Sequence, residues 1–302
     1  MSAKLLDLHL MRLIDGAKGK PFPVAIYAEE MSPETFEAVK TAATAGWMKP
    51  VLFGSEDVVQ RLIQYTDHVD EIDVNTWETA EEALTAMIQL AALGSVSVLA
   101  LPPTGDYRSY SRLTNIEVSP FSDRTALFGL SMLVPEKLER PLFVADTLVH
   151  AEPGRDLRIA QLPHVVNALQ NLGINTPRVA LLTAVEVASP GLPATMEAQE
   201  VAAAFESVEG WFVQGPLSMD LAVSEYAAKK KKATGEVPGK ADLLAAPDLT
   251  IARGVLDALT LMSDTPAATV LMGGPVPVAV NDDIRDSAAF IRSIALACAV
   301  SA

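Results

Sequence analysis

Short apolar segments alternate with longer amphipathic segments along almost all of the 302-residue chain. The apolar segments are bounded by glycine, proline or charged residues. Several contain no polar residue, as expected for strands that are buried on both faces of a sheet. The segments predicted to be strands are 24–28, 51–53, 96–101, 125–134, 142–145, 179–183, 211–214, 242–245, 268–272 and 276–280. Because helical patterns lie between them, the sequence predicts an α/β protein with mainly parallel sheets.

Three helices can be placed from local signals. Ser32, Pro33 and Glu34 form a helix start, with a capping hydroxyl, a proline in the first turn and an acid near the helix N-terminus. Residues 154–172 have the apolar spacing of one helix, which Pro163 interrupts. A last helix is predicted at about 284–300, from an apolar run that contains Cys298.

A charged segment at 135–141, with a proline at each end, has the composition of a domain connection. The sequence therefore predicts two α/β domains. The first comprises residues 1–138 plus 284–302, and the second comprises residues 139–283.

The formal net charge of −15 argues against partners that carry many phosphates, so neither nucleic acid nor an anionic membrane is expected to bind. The only strongly basic run, at 229–232, is interpreted as the solvated end of a helix. No apolar window of about 18 residues and no signal-peptide pattern occurs, and Cys298 is the single cysteine. A cytoplasmic protein without disulfides is the expectation, with Cys298 in the core.

Candidate site residues follow the predicted strands, because ligands of parallel sheets bind at the carboxyl ends of the strands. These candidates are Thr104 and Asp106, Asp146 and His150, Glu186, Gly215 with Pro216 and Asp220, and Gly273 with Gly274. The four histidines are too scattered for a metal site, so no metal is expected. No catalytic triad spacing and no dinucleotide fingerprint is present. Spacing alone therefore indicates a ligand cleft without naming the ligand.

Several motifs in order resemble those of the phosphate acetyltransferase and phosphate butyryltransferase family. The segment 179–186, VALLTAVE, resembles the family's VA(V/L)LSAVE, and 214–220, QGPLSMD, resembles its DGPLxxD. The segments 237–244 and 246–249 resemble VxGxADxL and PDL, and 293–297 resembles the C-terminal helix. Upstream, Asp146 and Pro153 match the segment TDxxxNxxPD in spacing. The resemblance spans nearly the whole chain and is strongest from about 140 to 275.

The resemblance implies a fold of the isocitrate/isopropylmalate dehydrogenase-like type, with two α/β domains and an active cleft between them. It implies a homodimer that transfers a short acyl group between coenzyme A and phosphate, with no bound cofactor. The candidates named above would bind the substrate, and Arg124 and Arg253 would supply positive charge.

The sequence departs from the family at its catalytic positions. Active members carry a Ser-Arg pair where this chain has Asp282 and Asp283, and two carboxylates would repel phosphate. The family's lysine is Asp257 here, and the asparagine of TDxxxN is His150. Asp282, Asp283 and His150 are therefore the catalytic candidates.

Three hypotheses remain open at this point. The chain is an acyltransferase with altered specificity, or it is a catalytically silent homologue. A silent homologue would bind a CoA-like or other metabolite as a regulatory or partner subunit. Alternatively, the same cleft runs a different reaction on a cationic or neutral substrate, with Asp282, Asp283 and His150 as acid–base groups.

Overall fold

The computed structural model describes residues 2–16, 21–29, 31–64, 72–102, 111–114, 119–280 and 287–302. The chain folds into two compact units. The central unit comprises Phe128–Pro266 together with the segment that ends at Leu6, and the terminal unit comprises Asp7–Leu127 and Ala267–Ala302. The domain limits at 138/139 and 283/284 stay a prediction from the sequence.

Strands and helices alternate along both units. Up to residue 114 the elements are α1 Ser2–Gly16, β1 Phe22–Tyr27, α2 Pro33–Thr44, β2 Met48–Ser55, α3 Glu56–Gln64, β3 Asp73–Trp77, α4 Ala80–Ala92, β4 Val98–Leu101 and α5 Ser111–Thr114. Next come β5 Phe128–Leu133, β6 Leu142–Ala145, α6 Arg155–Asn171, β7 Arg178–Leu182, α7 Pro193–Ala203, β8 Phe212–Leu217, α8 Met219–Val223 and α9 Glu225–Lys230. The chain ends with β9 Leu243–Ala245, α10 Leu249–Asp257, a π-helical turn Ala258–Met262, β10 Ala267–Met272, β11 Val278–Val280 and α11 Ser287–Ser301.

Parallel pairing dominates the sheet in each unit. In the terminal unit the strand order is β3-β2-β1-β4-β11-β10, in which only the β11–β10 pair is antiparallel. In the central unit the order is β5-β6-β9-β7-β8, in which only the β5–β6 pair is antiparallel. The mainly parallel α/β class that the sequence predicted is therefore confirmed. Parallel order brings the carboxyl ends of neighbouring strands to one edge.

Local sequence accounts for the elements that were predicted best. Ser32 accepts a hydrogen bond from the Thr35 amide at 3.1 Å and caps α2, as the helix-start signal indicated. In α4, Thr79 and Glu82 form a reciprocal capping box. Every residue of β4, β5 and β6 is buried, which fits the unbroken apolar sequences of β4 and β6 and a β5 sequence in which Ser131 is the one polar residue.

One strand, β3, does not follow the apolar pattern and was not predicted. Its sequence DVNTW is polar, and it lies at the end of the strand order, where only β2 pairs with it. It is held in part by Trp77, whose ring stacks on Phe53 at a centroid distance of 5.2 Å. Because its residues are exposed or only partly buried, this strand does not need an apolar sequence.

The C-terminal helix α11 is almost wholly apolar and packs on β10, β11 and α2. Cys298 is completely buried in it, as expected of a small core residue, and burial raises the pKa of its thiol. Arg292 of the same helix donates to Asp7 Oδ1 at 2.7 Å, which ties α11 to α1. Within the described ranges, no helix has both the length and the apolarity needed to cross a membrane.

Candidate functional site

In the central unit, polar side chains collect just after the carboxyl ends of the parallel strands. Asp146 directly follows β6. Glu186 lies shortly after β7, while Ser218 and Asp220 come immediately after β8. This is the edge at which ligands bind in open parallel sheets. The described contacts form two clusters there, one around Asp146 and one around Ser218.

The Asp146 cluster is built by backbone donors. Oδ1 accepts from the amides of Gly129, Leu148 and Val149 at 2.7, 2.9 and 3.1 Å, and Oδ2 accepts from the His150 amide at 3.0 Å. Only 8% of the Asp146 side chain is exposed. Four backbone amides thus satisfy the acceptor oxygens of one buried carboxylate. Gly129 permits this arrangement, because a Cβ there would lie 2.6 Å from the Leu148 side chain.

The imidazole of His150 is oriented by the same carboxylate. Its Nδ1 lies 2.8 Å from Asp146 Oδ2, and the side chain is 15% exposed. Since an ionised carboxylate can only accept, Nδ1 carries the proton of this bond. In a neutral ring with the proton on Nδ1, the other nitrogen, Nε2, is the hydrogen-bond acceptor. The side-chain nitrogen of Gln161 also lies 3.3 Å from Nδ1 of His150.

The Ser218 cluster joins four side chains from three segments. Ser218 Oγ donates to Glu186 Oε1 and lies 2.6 Å from Asp220 Oδ1. Lys231 Nζ lies 2.5 Å from Glu186 Oε1, 3.1 Å from Asp220 Oδ2 and 3.5 Å from Ser218 Oγ. The sequence position of Ser218 favours a helix cap, but its hydroxyl makes no capping bond in α8. It is directed to the carboxylates instead.

The charges of this cluster stabilise one another. The bonds from Lys231 and then Ser218 lower the pKa of Glu186, and those from Ser218 and then Lys231 lower the pKa of Asp220. The same carboxylates, Glu186 first, raise the pKa of Lys231. Lys231 is therefore an ammonium ion and cannot take a proton from Ser218. The cluster is a charged brace between the β7 and β8 loops and the end of α9, not a serine–lysine nucleophile.

Gly215 and Pro216 lie inside β8, whereas the sequence placed them in a turn after a strand at 211–214. The strand extends to Leu217, with an irregular register opposite Ala180 and Leu182. A Cβ at position 215 would lie 2.5 Å from Leu181 Cβ, so glycine permits the close approach of β8 to β7. These two residues therefore shape the strand that leads to Ser218.

In the terminal unit, Gly273 and Gly274 follow β10 and meet the loop that carries Arg124. Gly273 has φ +92°, and a Cβ there would overlap the Ala126 carbonyl oxygen. A Cβ at Gly274 would overlap the Phe121 ring. The glycines thus allow the 121–127 loop to lie directly against this turn. Arg124 is exposed in that loop.

Arg253 lies on α10, and its Nη2 is 3.6 Å from Asp257 Oδ1. Asp257, which stands where the family has a lysine, therefore pairs with an arginine one helical turn before it.

Thr104, Asp106, Asp282 and Asp283 lie outside the described residues. Within the part of the chain that is described, no three histidine, cysteine or acidic side chains are grouped as they would be to hold a metal ion.

Lys231, Arg158 and Gln161 were not identified from the sequence. Lys231 is one of four consecutive lysines that were interpreted together as solvated, and no local signal distinguishes it from its neighbours. Arg158 is a charged residue within the apolar pattern of α6, and only 5% of it is exposed. An arginine within the apolar pattern of a helix was a signal that the sequence offered, since an arginine at a buried position is expected to have a partner.

Taken together, the structure is that of an α/β protein with a cluster of polar side chains at the carboxyl ends of its parallel strands. Comparison with known proteins gives the family. The sequence model of the family "Phosphate acetyl/butaryl transferase" matches residues 120–297, more than half of the chain. The chain therefore belongs to this family of acyltransferases, as its motifs indicated.

Individual proteins of the family match over nearly their full length. The chain is 29% identical to the phosphate acetyltransferase of Thermotoga maritima, covering 96% of this chain and 98% of that protein. It is 26% identical to the phosphate butyryltransferase of Clostridium acetobutylicum, covering 96% and 97%. Among solved structures, a branched-chain phosphotransacylase from Enterococcus faecalis aligns with a TM-score of 0.79 at 22% identity, covering 92% of this chain and 99% of that one. That last likeness supports the fold.

Proposed function

We propose that this acyltransferase moves a short acyl group between coenzyme A and inorganic phosphate. A phosphate oxygen attacks the thioester carbonyl carbon of acyl-CoA and forms a C–O bond. The C–S bond then breaks, and the sulfur leaves with the electron pair. The proton of the phosphate hydroxyl ends on the thiol, so the products are acyl phosphate and free CoA. The reaction needs no metal and no redox group.

The observation that carries this proposal is the match of the family over residues 120–297. Both full-length relatives are named for transfer of an acyl group to phosphate, one for acetyl and one for butyryl. A catalytically silent homologue is the less favoured alternative, because neither of these relatives is described as one.

Phosphate needs a cation on a surface that carries a net charge of −15. Arg124 suits this role, because the described residues give it no ion pair and its loop lies against the Gly273–Gly274 turn. A guanidinium binds phosphate through two parallel N–H bonds. We assign Arg124 and the two glycines to phosphate binding, with Thr104 and Asp106 proposed on sequence grounds.

Proton transfer is assigned to His150. Asp146 fixes the ring through Nδ1 at 2.8 Å, so Nε2 is the nitrogen able to accept the phosphate proton and return it to sulfur. Asp146 acts as the positioning residue. Glu186 and Asp220 are proposed to hold the surrounding loops through Lys231, and Arg253 to contribute charge.

Asp282 and Asp283 remain catalytic candidates from the sequence alone. The proposal also includes a homodimer, a cytoplasmic location and the isocitrate/isopropylmalate dehydrogenase-like type of fold. These are what the family resemblance implies, and light scattering of the purified chain tests the dimer.

The function is tested by incubating the purified chain with phosphate and acetyl-, propionyl- or butyryl-CoA. We expect phosphate-dependent release of free thiol with at least one of them. A second protein carries Asp282→Ser with Asp283→Arg, which restores the family's pair. Turnover at least about tenfold higher would show that the two carboxylates hinder phosphate, and lower turnover would show that they are catalytic. Activity in this double variant with none in the wild type would instead identify a silent homologue. No activity in either protein would contradict the transferase proposal.

A further inference from the structure

A small cavity lies in the central unit between helix α6 and the carboxyl ends of β6 and β9. Its volume is about 30 Å³. Its walls include apolar side chains of Leu162, Val165 and Leu243, and its polar lining comes from Asp146, Arg158 and Gln161. The cavity is therefore next to the proposed proton-transfer pair, since Asp146 belongs to both.

Arg158, which lines this cavity, carries an unsatisfied donor. Its Nη1 donates to Glu197 Oε1 at 2.8 Å, and 5% of the side chain is exposed. Its Nη2 is buried and has no hydrogen-bond partner among the described residues. A buried N–H without an acceptor is costly, so this position calls for an oxygen that accepts from it.

The charges around the cavity indicate which kind of ligand would provide the oxygen that accepts from Arg158. Glu197 pairs with the guanidinium and offsets its charge, while Asp146 adds a carboxylate to the wall. An anion placed here would face Asp146 without an unpaired cation. A cation would find Asp146 already accepting five hydrogen bonds. The preferred ligand is therefore an uncharged group with a carbonyl oxygen.

The size of the cavity limits that group. About 10–15 Å³ of such volume accommodates one water-sized atom group, so 30 Å³ accommodates two or three heavy atoms. An acetyl group, which has two carbons and one oxygen, is of this size. A butyryl chain would have to displace the apolar walls.

We propose that this cavity receives the acyl group of the substrate and that Arg158 Nη2 donates to its carbonyl oxygen. The proposal rests on the acyl transfer inferred above. The cavity would not hold a free anion, but the partial negative charge that develops when phosphate attacks is on the one oxygen bonded to Nη2, so that bond strengthens. Arg158 is then a catalytic residue, and the cavity walls make acetyl the preferred acyl group.

The test compares three variants with the wild type, using acetyl-, propionyl- and butyryl-CoA with phosphate. In Arg158→Met the donor is removed, and kcat with acetyl-CoA should fall about 10²- to 10³-fold. In Val165→Ala the wall recedes, and the ratio of kcat/KM for butyryl-CoA to that for acetyl-CoA should rise about tenfold or more. Arg155→Met is the matched control, since Arg155 is on the same helix, bonds to Asp156 and Glu200, and does not line the cavity. It should keep wild-type kinetics.

The outcomes separate the two proposals. If the wild type turns over and a folded Arg158→Met variant is equally active, the acyl site is overturned and the transferase function is left intact. Absence of turnover in the wild type with every acyl-CoA would overturn both. Should Arg158→Met fail to fold, as a melting curve would show, Val165→Ala decides. An unchanged preference among acyl groups in that variant contradicts the proposal.

Discussion

Lys231 Nζ lies 2.5 Å from Glu186 Oε1, although 45 residues separate the two in the sequence. The same ammonium reaches Asp220, so one lysine at the end of α9 joins the loops that follow β7 and β8. Both carboxylates have a pKa below their ordinary values of 4.5 and 3.8 because of this contact and the Ser218 hydroxyl. The contact therefore links folding to pH.

Replacing Lys231 by Met should destabilise the chain in a pH-dependent manner. A carboxyl group whose pKa is lowered by folding adds stability above its unfolded pKa, and that stability is lost as pH falls through the folded pKa. The wild type should thus melt at a higher temperature than Lys231→Met at pH 7, and the difference should shrink as the pH falls below the ordinary carboxyl values of 4.5 and 3.8. Melting curves across pH test this.

Lys229→Met is the matched control, because Lys229 is 80% exposed and pairs only with Glu225 at 3.5 Å among the described contacts. Its melting temperature should follow the wild type. A Lys231→Met protein that melts like the control at every pH would show that the Glu186 cluster does not brace the fold. High salt should also reduce the effect of Lys231→Met.

The Lys231 contact marks the limit of what could be predicted from this sequence. Local signals gave the start of α2 at Ser32 and the buried run of β6, because capping and burial leave a pattern in consecutive residues. They missed β3, which is polar because it pairs on one side only. They also placed Gly215 in a turn, although its role is close strand contact. Contacts between distant segments leave no such local pattern.

The candidate site divides in the same way. Asp146 and His150 were predicted from their position after a strand, and the fold joins them because they are four residues apart in one turn. Arg158 and Lys231 were missed, because their partners come from α7 and from the β7 loop respectively. Family motifs identified the carboxylates of the site, but not the side chains that neutralise them.

Gly273→Ala should be more destabilising than a glycine substitution that changes only backbone conformation. Gly273 has φ +92°, and a Cβ would also overlap the Ala126 carbonyl oxygen. Gly94, with φ +68° and no atom within 4 Å of such a Cβ, isolates the backbone cost. We expect about 1–2 kcal/mol for Gly94→Ala and a larger loss for Gly273→Ala. Urea unfolding at about 25 °C measures both.

Equal losses in the two glycine variants would mean that the loop carrying Arg124 moves freely to accommodate the new methyl group. That result would also weaken the assignment of Arg124 to a fixed phosphate site beside the Gly273–Gly274 turn.

Cys298 should not react with thiol reagents in the folded protein. The side chain is completely buried in α11, and burial raises the pKa of its thiol, so both access and thiolate formation are suppressed. We expect no modification over about an hour near pH 8 and complete modification in concentrated guanidinium, as followed by mass spectrometry. Rapid labelling under native conditions would show that α11 detaches. Because Cys298 is expected not to react, the free CoA thiol that the reaction releases can be measured without background from the protein.

The last prediction concerns His150, which stands where the family has asparagine. If Nε2 moves the proton between phosphate and sulfur, His150→Asn should lower kcat by about 10²-fold or more, because an amide accepts the hydrogen bond but cannot carry the proton. His164→Asn, at an exposed position on α6, is the matched control and should leave kcat unchanged. If His150→Asn instead kept the wild-type rate, the asparagine would be a full replacement. The Asp146–His150 pair would then serve only to shape the turn after β6, and proton transfer would have to be sought among other groups.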